Sequence, residues 1–92
     1  MKDNNTVIEY ITERNRIRVV ANGEAAGEVT FPERDGVYVI NHTYVDDRLR
    51  GQGIASELVR RAVEEIERRG GRLEATCSYA ALWLARNRGC EM

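Results

Sequence analysis

At 92 residues and 10.5 kDa the chain reads as a single domain, 1–92, with a thin core: so short a chain removes only about two-thirds of its unfolded surface from water. Its 42% hydrophobic and 32% charged residues suit a folded globular protein and exclude a disordered one, and no apolar run approaches the ~18 residues that span a membrane. A formal net charge of -1 excludes a general attraction to nucleic acid or anionic lipid, so any anion site must be local.

The first ten residues carry no apolar segment of the kind that directs export, and cytoplasmic residence is the expectation. Residues 6–11 (TVIEYI) then alternate, with Val7, Glu9 and Ile11 on one side and Thr6, Ile8 and Tyr10 on the other, as a strand does. After the polar TERN, residues 17–21 (IRVVA) make a second strand closed by Asn22-Gly23. That pair favours a type I′ hairpin turn, because both residues tolerate positive φ. Residues 26–31 (AGEVTF) return antiparallel, and Pro32 ends them. Glu33 to Gly36 read as a turn. Residues 37–45 (VYVINHTYV) are the longest β-prone run, rich in Val, Ile, Thr and Tyr. Four strands in an antiparallel meander are predicted to this point.

The period then changes. Ile54, Ala55, Leu58, Val59, Ala62, Val63 and Ile66 form one stripe of a long helix, with Glu57–Arg61, Glu64–Arg68 and Glu65–Arg69 spaced i,i+4 along its flank. Gly70-Gly71 ends it. Residues 72–77 (RLEATC) are a fifth strand, and 79–86 (YAALWLAR) a short second helix stopped by Gly89. Trp83 and Leu84 on that helix are read as core residues. A strand–helix–strand unit of this kind closes as a right-handed parallel crossover.

Between the meander and the long helix stands LRGQGIAS, residues 49–56. The first N–H groups of a helix lack intrahelical partners and the dipole leaves partial positive charge there. A glycine without Cβ lets a phosphate approach those groups, and Arg50 adds a full charge. The stretch therefore reads as a phosphate or pyrophosphate cradle; the plainer reading is a turn that merely needs its glycines. A Walker loop is excluded, since no Gly-Lys-Ser or Gly-Lys-Thr follows. A dinucleotide fingerprint is opposed by Ser56 at its third small position and by the antiparallel strands before it.

Arg50-x-x-Gly53-x-Ala55 resembles the Arg/Gln-x-x-Gly-x-Gly/Ala signature of the GNAT N-acetyltransferase superfamily. The resemblance is closer to its short single-domain acetyl-CoA-binding members, through His42-Thr43-Tyr44-Val45, Arg50-Gly51-Gln52-Gly53-Ile54-Ala55 and Cys77-Ser78-Tyr79. It implies a GNAT-like α/β (α+β) fold: the meander runs into a βαβ unit whose two parallel strands splay to admit the coenzyme. It also implies that Arg50 and the amides of Gly51, Gln52, Gly53, Ile54 and Ala55 serve the pyrophosphate of acetyl-CoA. The strand edge at Thr43, Tyr44 and Val45 would pair with the pantetheine arm. Two departures stand out. TERN replaces the two helices that wall the acceptor site in larger relatives, and Ala85 occupies the place where many carry a proton-donating tyrosine, with Cys90 at the usual phenylalanine.

For chemistry, His42 is a candidate base because its ordinary pKa is near neutrality, unless it is only a hydrogen-bonded sheet residue on the parity of Tyr38, Ile40 and Tyr44. Cys77 precedes a helix N-terminus, which favours a thiolate, and would accept the acetyl group or assist the leaving sulfur; a small buried filler is the competing reading. Tyr79 would donate a proton to that sulfur, or else pack in the first helical turn. The predicted activity is acetyl transfer from acetyl-CoA to a primary amine on an open, bulky acceptor, by a monomer with no nucleic-acid or membrane partner. The alternative is an acyl-CoA carrier or sensor without transfer. Cys77, Cys90 and His42 match neither a metal-ligand spacing nor a disulfide framework, so no metal is expected.

Overall fold

The structure is a computed structural model that describes residues 6–87. Strands β1 (Ile8–Thr12), β2 (Arg16–Ala21) and β3 (Glu24–Thr30) follow one another antiparallel. The β2–β3 hairpin turns at Asn22 and Gly23, both at positive φ as a type I′ turn requires. The run 33–36 is not a plain turn: Glu33–Arg34 forms a two-residue strand, β4, against β5 (Val37–Ile40). β6 (His42–Val45) precedes a 3₁₀ turn at Asp47–Leu49, and α1 (Ile54–Arg68), β7 (Arg72–Ala75) and α2 (Ser78–Asn87) complete the order. The expected stop at Gly89 lies outside the described residues.

The run 37–45 divides at Asn41. β6 closes a sheet ordered β1-β2-β3-β6, whereas β5 belongs to a sheet ordered β4-β5-β7, parallel to β7. Asn41 explains the division. Its N–H donates to the Thr30 carbonyl at 3.2 Å and its Oδ1 accepts from the Thr30 hydroxyl at 2.5 Å, tying the chain to β3. On the other side the Ile40 carbonyl accepts both Thr76 and Cys77 N–H, at 3.0 and 3.1 Å, and the parallel ladder stops there. Beyond that point β6 and the chain after β7 part, as the family resemblance implies.

The break also slips the parity of the strand. Tyr38 and Ile40 face the core, but so do Thr43 and Val45, while His42 and Tyr44 are exposed on the outer face. His42 thus does not share the face of Ile40, as unbroken alternation predicted.

The core lies under α1. Ile54, Leu58, Val59, Ala62, Val63 and Ile66 are buried against Ile17, Val19, Val29, Phe31 and Ile40, and Ala80 brings α2 into the same cluster. Trp83 and Leu84 are half-buried against it. Of the predicted ion pairs, Glu57–Arg61 and Glu65–Arg69 form at 2.7 and 2.8 Å. Glu64–Arg68 does not: Arg60 takes Glu64 at i,i+4 and Arg68 takes Glu65 at i,i+3, because neighbours three and four apart compete on the same face. β1 and β2 are joined by three residues, with Glu13 N–H on the Arg16 carbonyl at 2.7 Å, so no helical wall rises there.

Candidate functional site

The glycine stretch adopts the backbone its residues demand. Gly51 has φ 82° and Gly53, the residue capping α1, has φ 76° and ψ 14°, in the left-handed region where a Cβ is strained. No side chain caps the helix. Its first backbone bond is Glu57 N–H to Gly53 C=O at 3.0 Å. The six consecutive N–H groups from Gly51 to Ser56 therefore donate to no group among the described residues. A Cβ built on either glycine would point into open space. Here an anion meets several donors and the positive end of a 15-residue helix at once, which fits a pyrophosphate.

These amides open on a cleft of about 330 Å³ lined by Val45, Leu49, Arg50, Gly51, Gly53, Ile54, Ala55, Ser56 and Tyr79. The 3₁₀ turn delivers the loop: Asp46 caps it by accepting from Arg48 N–H at 2.8 Å, and Leu49 is buried. Arg50 is 79% exposed and held by Asp47 at 2.8 Å. Gln52 departs from the set. Its side chain faces a separate polar hollow with Thr6, Asn22, Glu24 and Arg48, so only its amide belongs to the loop's donor row.

Beside the cleft runs an open strand edge. β6 is the last strand of its sheet, paired with β3 on one side. Antiparallel pairs alternate between bonded and unbonded. Asp46 N–H bonds the Ala26 carbonyl at 2.7 Å, which makes Tyr44–Glu28 a bonded pair and turns the backbone groups of Thr43 and Val45 to the open edge. Tyr44 is thus the exception among the three predicted edge residues: its backbone is spent on β3 and its side chain is on the outer face. Gly27 allows the close approach of these strands, since a Cβ there would stand 2.5 Å from the Tyr44 carbonyl oxygen.

Cys77 lies where the strands part. Its sulfur is 3.6 Å from Thr43 Oγ1, and its carbonyl receives the first bond of α2, from Ala81 N–H at 2.9 Å. Burial pushes the thiol up, but the Ala80 N–H, the Thr43 hydroxyl and the N–H groups of Tyr79 and Thr43 outweigh it. The net result is a thiol below its ordinary value. Tyr79, 40% exposed, reaches into the cleft from the first turn of α2.

His42 is not in this group. Its Nε2 is 3.5 Å from Glu28 Oε2, within a surface chain that continues to Arg16 and Glu13, and consecutive strand residues face opposite sides. Cys77, Thr43, Val45, Tyr79 and the glycine loop come together; His42, Tyr44 and the Gln52 side chain do not. Two members were not foreseen. Ser56 lines the cleft and accepts from Trp83 Nε1 at 2.8 Å, and its place in the first helical turn was the available signal. The Thr43 hydroxyl had none, since its partner is 34 residues away. Among the described residues no cluster of His, Cys, Asp and Glu is arranged for a metal, and no helix is long and apolar enough to cross a membrane.

The sequence pattern of the GCN5-related N-acetyl-transferase family matches residues 14–91. The chain belongs to this family. A GCN5-like protein from Staphylococcus aureus, solved by NMR, superposes with a TM-score of 0.70 at 27% identity, covering 90% of this chain and 83% of its own. An IAA acetyltransferase from Bacillus cereus gives 0.58 at 25% identity over 88% and 73% of the two chains. The ribosomal-protein-S18-alanine N-acetyltransferase from Escherichia coli shares the fold, with a TM-score of 0.66 at 19% identity; it is covered over 52% of its length against 85% of this chain. No protein of curated function matches. The GNAT fold and membership of an acyltransferase family are established by these likenesses, and the family uses acetyl-CoA as co-substrate.

Proposed function

We propose that this GNAT domain binds acetyl-CoA and transfers its acetyl group to a primary amine at an open acceptor site. The observation that carries the proposal is the row of six unbonded amides at the start of α1, opening beside the free edge of β6. In this reading the N–H groups from Gln52 to Ala55 hold the pyrophosphate, and Arg50, anchored on Asp47, adds charge at the rim. Thr43 and Val45 pair through their backbone with the pantetheine arm, which leads the thioester to Cys77.

The amine nitrogen attacks the thioester carbonyl carbon, a C–N bond forms and the C–S bond breaks. The coenzyme sulfur leaves as a thiolate and takes a proton from the Tyr79 hydroxyl, while the ammonium formed gives its proton to water and Tyr79 regains one from water. Cys77 supplies a covalent alternative. Its thiolate attacks first, acetyl-cysteine forms as coenzyme A departs, and the amine then attacks that ester and restores the thiolate. His42 contributes only where an acceptor lies across the outer face of β6.

A second reading, an acyl-CoA carrier or sensor without transfer, is favoured by one observation: the sole histidine is turned away from the thiol. Release of coenzyme A thiol from acetyl-CoA, with n-butylamine as acceptor, and the intact mass of the protein distinguish the two. Transfer is expected in the wild type. A +42 Da adduct (~42, one acetyl group) abolished by Cys77→Ala selects the covalent route, and unimpaired turnover in Cys77→Ala selects direct attack. Bound acetyl-CoA that stays intact in every variant makes the protein a carrier.

A further inference from the structure

The proposed function employs the free edge of β6 and leaves another edge unused. β7 is the last strand of its sheet, paired with β5 on one side and with no strand among the described residues on the other. Arg72 N–H bonds the Gly36 carbonyl at 2.8 Å and Thr76 N–H bonds the Ile40 carbonyl at 3.0 Å. Backbone groups alternate in direction along a strand, so the carbonyls of Gly71, Leu73 and Ala75 and the N–H groups of Leu73 and Ala75 turn to the open side. A bare edge is a template for a further strand, and monomeric proteins blunt it with proline, a bulge or a charge turned inward. β7 carries none of the three. Its register on β5 is unbroken, Leu73 and Ala75 pack against the core, and Arg72 and Glu74 are exposed on the outer face.

The outward charges decide what this edge accepts. Elsewhere arginines are held by carboxylates, as Arg16, Arg48, Arg60 and Arg69 are. Arg72 and Glu74 have no ion-pair partner among the described residues. Charge of a single sign along the edge would repel a second copy. Here the two signs stand two residues apart, and that spacing is self-complementary. In an antiparallel pair centred on Leu73, Arg72 of each copy lies directly opposite Glu74 of the other. In the same register Leu73 exchanges both backbone bonds with its counterpart, and Ala75 N–H meets the Gly71 carbonyl of the other copy. The two Leu73 side chains then meet on the core face. A two-fold axis requires a surface that matches itself in this way, whereas an unrelated strand has no reason to carry the matching charges.

We infer that a second copy of this chain docks on the β7 edge, antiparallel and centred on Leu73, so that the protein is a weak dimer rather than the expected monomer. The inference is independent of the coenzyme reading and compatible with it. Cys77 lies beyond the strand, and the antiparallel arrangement sets the two thiols at opposite ends of the ladder. Sedimentation velocity of the full chain from about 10 μM to about 1 mM tests it, a range suited to an interface smaller than roughly 1,200 Å². The wild type should pass from monomer to dimer across that range. Arg72→Glu and Glu74→Arg each set like charges opposite one another and should weaken association at least about tenfold. An equimolar mixture of these two variants, each folded by circular dichroism, restores both opposite-sign pairs and should associate as the wild type does. Exchange of the Leu73 and Ala75 amides should slow as wild-type concentration rises. A wild type that stays monomeric throughout, a dimer undiminished in either variant, or a folded mixture that fails to associate overturns the inference. So does slow exchange of those amides already in the dilute monomer, which would put another part of the same chain on the edge.

Discussion

The two ends of α1 are built on opposite plans. At its C-terminus the chain closes back on the helix: Gly71 N–H bonds the Ile66 carbonyl at 3.0 Å, Gly70 N–H bonds Glu67 at 3.0 Å, and Arg69 N–H bonds Glu65 and Ile66. The Arg69 guanidinium crosses to the β1–β2 turn, donating to the Arg14 carbonyl at 2.7 Å and the Glu13 carbonyl at 3.3 Å. Its centre stands 5.6 Å from the Tyr38 ring centroid and 5.7 Å from that of Phe31. At the N-terminus stand glycines at positive φ, no side-chain cap, and a run of amides without partners among the described residues. The orphan groups of a helix end are met by caps, by water or by a ligand, and the two ends differ in which. On the proposed function one end holds the fold together and the other receives the ligand, and substitutions at the two ends should separate stability from binding.

The largest effect is expected at the open end. Gly53→Val forces a β-branched residue into the left-handed region, which costs about 1–2 kcal/mol, and sets methyl groups over the amides. Acetyl-CoA affinity, read by titration calorimetry, should fall at least about 100-fold, which exceeds what the strain alone would cause. The closed end should do the reverse. Arg69→Ala removes ring stacking and two carbonyl contacts and should lower unfolding free energy by about 1–2 kcal/mol in urea, leaving acetyl-CoA affinity within about twofold.

The thiol sharpens the comparison at a second helix start. In a Cys90→Ser background, the pH profile of Cys77 alkylation by iodoacetamide should have its midpoint below that of an ordinary thiol, and Thr43→Val should move it up. The sign for stability follows. The folded thiol loses its proton at lower pH than the unfolded one, so its contribution is fully present above the unfolded value and is lost as pH falls through the folded one. Smallest of all is Gln52→Ala, whose side chain faces the polar hollow across the loop; acetyl-CoA affinity should change less than about twofold.

Much of this was legible in the residues because local chemistry decides it. The change from period two to period 3.6 at Ile54 marks the helix start, and glycines at 51 and 53 mark a backbone that other residues resist. Spacing could not reveal the division at Asn41, which depends on Thr30 and on two amides 35 and 36 residues downstream meeting one carbonyl. The misplacement of His42 and Tyr44 follows from that break, since it reverses the faces of β6 and carries both outward.

The most direct test of the central claim is an NMR titration of the labelled protein with acetyl-CoA, with coenzyme A alone as comparison. Large shifts of the Gln52, Gly53, Ile54 and Ala55 amides with both ligands, and of Thr43 and Cys77 with the acetylated form above all, are the predicted result. Amides from Gly51 to Ser56 that stay in place at saturating ligand would contradict the account: the glycines would then only turn the chain.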